Sequence, residues 1–226
     1  MHLHLLTIHA TPSPQAVPLA AASLKAYLDS RPELAPLRVT LAEYFSGTPA
    51  DRVCREVLES GAAVVALPLY LWNREECCSL AAMLRREAPE LILLAGGPEA
   101  TADPEGVLRE GPFDLVVIGE GELTLAEIME RLQRGLPLSE VPGTAGAGGA
   151  RCIPRPPIPD LAVLPSPWLT GVLDAHIANG VVWQLSRGCS FGCDFCFDGM
   201  GDRKVRRYPM ERLERELEYF LERGVS

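Results

Sequence analysis

No run of apolar residues in this 226-residue chain is long enough to cross a bilayer as a helix, which takes about 20. An excess of positive charge is missing too. Lys and Arg number 21 against 30 Asp and Glu, a formal net charge of -9. That balance argues against a general binder of nucleic-acid backbone, which needs a basic face; the local exception is the run Arg203–Arg207. No secretory signal opens the sequence, and its seven cysteines are an odd number. Both facts speak against a disulfide framework and for a reducing cytoplasm. The glycine-rich run 143–149 lacks the Lys-Ser/Thr and the strand–loop–helix setting of a phosphate loop. What remains, 47% hydrophobic and 23% charged, is ordinary for a globular protein.

The first 135 residues alternate between strand and helix patterns. Apolar runs at 2–9, 37–41, 62–69, 91–95 and 113–118 read as strands. Between and after them, 15–29, 51–60 (with Asp51 as N-cap), 74–87, 103–109 and 124–133 carry helical spacing. Near-continuous apolar strands suggest a parallel sheet covered on both faces. The expected fold is α/β: a flavodoxin-like, Rossmann-like, doubly wound five-stranded parallel sheet in the order 2-1-3-4-5. Ligands of such folds bind outside the carboxyl ends of the strands. Gly96-Gly97 and Gly119/Gly121 fall at such ends, where glycine allows either close approach to a ligand or a tight entry into a helix. Residues 136–179, rich in Gly and Pro, read as a connector that sustains neither a helix nor a central strand. A second domain is expected from 180, with a strand at 181–185 and an amphipathic helix at 210–223 that Pro209 suits in its first turn.

Between that strand and helix lie Cys189, Cys193 and Cys196, spaced C-x3-C-x2-C. Iron–sulfur clusters are held by cysteine thiolates, and a cubane normally takes four. Three from one loop would leave one iron open to a substrate or cofactor. Gly188 and Gly192 allow a tight fold around such a group. A structural zinc ion would need a fourth ligand; Cys152 and His176 are the nearest upstream, and neither makes a paired motif with the triplet.

This triplet, with Phe195 just before its last cysteine, resembles the radical S-adenosylmethionine (radical SAM) superfamily. The resemblance implies a 4Fe-4S cluster held by Cys189, Cys193 and Cys196. It implies S-adenosylmethionine on the open iron, cleaved to a 5′-deoxyadenosyl radical, and Phe195 shielding the cluster near the adenine. The preceding half, through Gly96-Gly-Pro-Glu99, Phe113-Asp-Leu-Val-Val-Ile-Gly-Glu-Gly-Glu122 and the order of domains, resembles the cobalamin-binding domains that precede many radical SAM domains. The chain is thereby identified as the start of a cobalamin-dependent radical SAM enzyme: a cobalamin domain at 1–135, a linker at 136–179, and from 180 to 226 the first βα unit of a barrel cut short.

The resemblance implies cobalamin contacts from the loop 9–15, from Pro68, Leu69, Tyr70 and Leu71, from Gly96, Gly97, Pro98 and Glu99, and from Gly119, Glu120, Gly121 and Glu122. Trp72 either stacks on the corrin or packs. Arg206 and Arg207 follow the cysteine loop, where relatives often place an active-site arginine. Cobalamin domains that ligate cobalt through histidine carry D-x-H-x-x-G. Here Thr7 and Pro12 stand at the Asp and Gly positions, which argues against His9 as a ligand.

The implied reaction is methylation of an unactivated carbon or phosphorus, on an unknown substrate, with an electron donor such as flavodoxin or ferredoxin. The other readings are a cobalamin-binding module without activity, a radical SAM cyclase or rearrangement enzyme, and a transfer-RNA methylthiotransferase. The last would want further cysteines at strand-end loops, whereas Cys54, Cys77 and Cys78 fall on expected helices.

Overall fold

Five of the apolar runs become the parallel strands of one sheet. In a computed structural model, which describes all residues except 14–15, 147–151, 192, 194–195, 197–203 and 226 (and of 178–179 the backbone alone), these are β1 (His2–His9), β2 (Arg38–Phe45), β3 (Val64–Pro68), β4 (Ile92–Gly96) and β5 (Leu115–Val117). They lie in the order β2-β1-β3-β4-β5, as expected of a doubly wound fold. The sheet has six strands rather than five, because β6 (Thr144–Gly146) adds antiparallel to the exposed edge of β5. Of Thr-Ala-Gly only the threonine favours a strand; the neighbouring ladder supplies the pairing.

The helices are α1 (Leu19–Asp29), α2 (Ala50–Glu59), α3 (Arg74–Glu87), α4 (Pro98–Ala102), α5 (Pro104–Glu110) and α6 (Gly121–Gln133). Asp51 does not cap α2. Pro49 holds that position and Asp51 lies in the first turn, where its charge complements the helix dipole. The connection from β4 to β5 is two short helices broken at Asp103, whose carboxylate accepts the Gly106 N–H at 2.9 Å and so caps α5. The helix expected from Thr124 begins three residues earlier, at Gly121.

Side chains alternate across a strand, and the alternation divides the core. Leu6 and Ile8, Val65 and Leu67, Leu93 and Ala95, and Val116 join Val53 and Val57 of α2 and Leu80, Ala81 and Leu84 of α3 in one buried cluster. The intervening residues Leu3, Leu5, Val64, Leu94, Leu115 and Val117 are buried as well. Burial on both faces explains why these strands read as continuous apolar runs.

The chain divides into two compact units: Met1–Pro12 with Tyr27–Pro157, and Ser13–Ala26 with Ile158–Ser226. Part of the proline-rich stretch is built into the first unit. Arg155 donates to Glu127 of α6 at 2.5 Å and to the Pro142 carbonyl at 3.1 Å. The second unit carries two-residue strands, β7 (Ser186–Arg187) and β8 (Arg206–Arg207), paired antiparallel, and α7 (Met210–Glu222). The strand expected at 181–185 makes no ladder. Its carbonyls go elsewhere: Val182 accepts from the Trp168 indole at 3.3 Å and Leu185 from the Tyr208 N–H at 3.2 Å. Phe220 packs edge-on against both Trp168 and Trp183.

At the amino end of β1, His2 and His4 are both buried and share one partner, the Thr40 hydroxyl, at 2.7 Å each. Burial lowers the pKa of both imidazoles below the ordinary 6.5, and nearby Arg38 lowers them further. The unfolded chain therefore takes up these protons before the folded one does. Stability is undiminished above about pH 6.5 and falls as the pH drops below it. Denaturant midpoints measured from pH 7.5 down to 5 should show this loss, and a His2→Gln/His4→Gln variant should show a much flatter profile.

Candidate functional site

β1 and β3 are paired only from Leu3–Leu5 to Val64–Ala66. Beyond that point they part, and they part where the winding of the sheet reverses, the position at which open α/β sheets take their ligands. The gap is bridged by Asn73, which is 1% exposed. Its Nδ2 donates to the carbonyls of Ile8 at 3.2 Å and Pro68 at 3.1 Å, and its Oδ1 accepts the Tyr70 N–H at 2.7 Å. Sequence reading passed over Asn73, since a single Asn before a helix reads as a cap.

The loop held by this carboxamide presents apolar surface. Leu71 is 84% exposed and Trp72 50%. The Trp72 indole stacks on Tyr70, ring centroids 4.5 Å apart and nearly parallel, while its Nε1 donates to Ile8 O at 3.2 Å. Burial raises the Tyr70 pKa. Leu69 points into the core and is fully buried, and Pro68 is half-buried.

The two glycine loops differ. Gly97 has φ +95, and a Cβ there would press on the Leu69 backbone, 2.8 Å from its carbonyl oxygen. Leu69 N–H donates to Gly96 O at 2.7 Å, and Glu99 N–H to Leu69 O at 3.2 Å. The Gly-Gly pair thus locks the β4 loop to the β3 loop. Pro98 is exposed, but the Glu99 carboxylate turns to Arg74, which also binds Asp103 and Glu110. Gly119, by contrast, has open space where a Cβ would stand. Its N–H donates to Thr101 Oγ1 at 3.0 Å. Glu120 is the N-cap residue of α6 and Gly121 its first residue.

His9, at the end of β1, has the acceptor that its sequence motif lacks. Glu43, on the neighbouring β2, lies 2.9 Å from His9 Nε2. The outer ring nitrogen, the one best placed to reach a ligand, is thereby engaged. Cys54, Cys77 and Cys78 are buried on α2 and α3, and burial raises the pKa of each thiol.

In the second unit, Cys189 is half-buried and Cys193 and Cys196 are exposed; all three are free thiols. The Phe191 N–H donates to Cys189 Sγ at 3.4 Å, and the Cys196 N–H to Cys193 O at 3.0 Å. The donor chemistry fits an iron–sulfur cluster. The three sulfurs are not drawn together, and among the described residues no three metal-ligating side chains are. Phe195 and Arg203 lie outside the described residues. Arg206 is held through Nη1 to the Ile158 carbonyl at 2.6 Å, and Arg207 is exposed.

The chain is 28% identical to the cobalamin-dependent radical SAM methyltransferase TokK of Streptomyces tokunonensis, over 93% of this chain and 33% of TokK. It is 29% identical, with the same coverage, to 2-(S-pantetheinyl)-carbapenam-3-carboxylate methyltransferase of Streptantibioticus cattleyicolor. It thus spans about a third of the length of these relatives. The fold superposes on the cobalamin-dependent S-adenosylmethionine radical enzyme OxsB, solved with aqua-cobalamin and S-adenosylmethionine bound. That match has a TM-score of 0.79 at 21% identity, over 99% of this chain and 32% of OxsB. Residues 6–129, containing the strand-end loops described above, match the B12 binding domain, and the chain belongs to that family.

Proposed function

We propose that the chain is the cofactor-holding part of a cobalamin-dependent radical SAM methyltransferase that acts on an unactivated carbon or phosphorus. Residues 1–135 hold cobalamin, 136–179 connect, and 180–226 carry Cys189, Cys193 and Cys196 as ligands of a 4Fe-4S cluster. The bound cofactors supply methyl transfer from cobalt and, by reductive cleavage of S-adenosylmethionine, a 5′-deoxyadenosyl radical. The electron comes from a donor such as flavodoxin or ferredoxin.

The observation that carries the cobalamin reading is the exposed apolar rim at the carboxyl ends of β1 and β3. A wide, flat macrocycle needs such a surface held still. Asn73 fixes it, and Leu71 and Trp72 offer it to solvent. The backbones of Pro68, Tyr70, Gly96 and Gly121 line the same edge, while Leu69, Gly97 and Glu99 support it from behind. Methyl transfer as the reaction class is supported by the two similar methyltransferases. A reading as a cobalamin-binding module alone is supported by the family match, which covers residues 6–129 and stops before the cysteine triplet; counting iron and sulfide after anaerobic reconstitution separates the two. The buried cysteines on α2 and α3 speak against a methylthiotransferase, which would place more thiols at strand ends.

The chain mixed with hydroxocobalamin should keep its corrin absorbance through desalting; a colourless protein fraction would end the cobalamin reading. Leu71→Asp should weaken retention about 30-fold, since burying a leucine side chain is worth about 2 kcal/mol. Asn73→Ala removes three hydrogen bonds: Ile8 O keeps the Trp72 indole N–H, whereas the Tyr70 N–H loses its acceptor, at about 1–3 kcal/mol. A lowered melting temperature and weaker corrin retention should therefore appear together. With Nε2 of His9 engaged by Glu43, His9→Ala should leave the spectrum of the cobalamin-loaded protein unchanged.

A further inference from the structure

Beneath the cysteine loop, the second unit buries more polar chemistry than its packing requires. Glu216 of α7 has a side chain only 2% exposed. It accepts the Trp183 indole N–H at 2.7 Å and the Arg212 Nε–H at 2.9 Å. The Arg212 guanidinium lies 4.0 Å from the centre of the Tyr208 ring, and the Tyr208 hydroxyl donates to Gln184 Oε1 at 3.1 Å. Trp183 and Gln184 precede the cysteines; Tyr208, Arg212 and Glu216 follow them. One continuous network therefore ties the two ends of the loop together.

Nearer the cysteines the backbones themselves close. Gly188 has φ +89, and a Cβ built on it would overlap the carbonyl oxygen of Lys204. Between that contact and the network, β7 and β8 pair over two residues, too short a ladder to stand alone. A buried ion pair adds little net stability over an apolar replacement. Its recognised use is to fix one arrangement among several.

From this, we infer that Gly188 and the Trp183–Glu216–Arg212–Tyr208–Gln184 network form a preformed staple that fixes both ends of the cysteine loop before a cluster binds. The staple rests on the cluster reading proposed above. None of the contacts that join the ends involves a cysteine, so the entropy of bringing residues 188 and 204 together is lost without help from the thiolates. These are positioning residues, and none of them would be a ligand of the cluster.

The test is anaerobic reconstitution of the chain with ferrous iron and sulfide, reading iron and sulfide per chain after desalting. Hydroxocobalamin retention and the melting temperature serve as fold controls. Gly188→Ala should hold about a tenth of the wild-type iron with cobalamin retention unchanged. Glu216→Gln, which keeps the side-chain shape, should release its iron to a chelator about tenfold faster and alter the electron paramagnetic resonance spectrum of the reduced cluster. In the iron-free wild type, the Tyr208 amide should already exchange its hydrogen slowly. Wild-type iron content in Gly188→Ala, or a Tyr208 amide that exchanges like a free peptide, overturns the staple and leaves the cluster reading standing. A wild type that keeps cobalamin but takes no iron overturns the cluster reading and the staple with it. Should Gly188→Ala fail to fold, Glu216→Gln decides: iron release and spectrum both like wild type overturn the staple.

Discussion

Three backbone groups at the carboxyl ends of β1 and β3 meet on one carboxamide. The strands stop pairing at Leu5 and Ala66, so the Ile8 and Pro68 carbonyls lie beyond the ladder that joins them. Buried carbonyls short of a partner are costly; the Trp72 indole reaches that of Ile8. Asn73 takes both carbonyls and the Tyr70 N–H as well. Because it is the residue before α3, its position is fixed by a helix whose inner face is packed into the core. The parted strands, the stacked Tyr70 and Trp72, and the exposed Leu71 all depend on that peg. An apolar residue at 73 could fill the space but could not hold the strands apart and the loop up.

The second unit uses the same device with charge. Trp183, Glu216 and Arg212 form a buried polar path between chain segments that also meet in the two-residue pairing of β7 with β8. In both units a buried polar side chain spans a place where strand pairing is short or absent. Each is costly to leave half satisfied, which is why each fixes a geometry and does not merely fill volume.

The five parallel strands were legible because burial on both faces writes itself as apolar runs, and their order followed from the fold class that such runs imply. α3 matches its expected span at both ends. What escaped was set by neighbours. β6 is a strand only because β5 offers an edge. Residues 181–185 look like a strand but spend their carbonyls on Trp168 and Tyr208. The same holds for the sites. The glycines and cysteines were legible as types in a pattern, whereas Asn73, Glu43 and Glu216 act through partners 30 or more residues away, a distance no local pattern encodes.

The two glycine loops sharpen this point. Gly97 and Gly119 look alike in the sequence, each following a strand and each with positive φ. Their surroundings are opposite. At Gly97 the missing side chain lets the β4 loop lie against the Leu69 backbone, so the glycine serves internal packing. At Gly119 the same absence leaves open space. A close-packed glycine is accounted for by its contacts, and a ligand adds nothing to the explanation. An open one, its N–H donating to Thr101, is accounted for by the turn that its positive φ makes and not by packing. Of the two loops, the first is fixed by its own packing, and the second is the one whose glycine leaves its surroundings open.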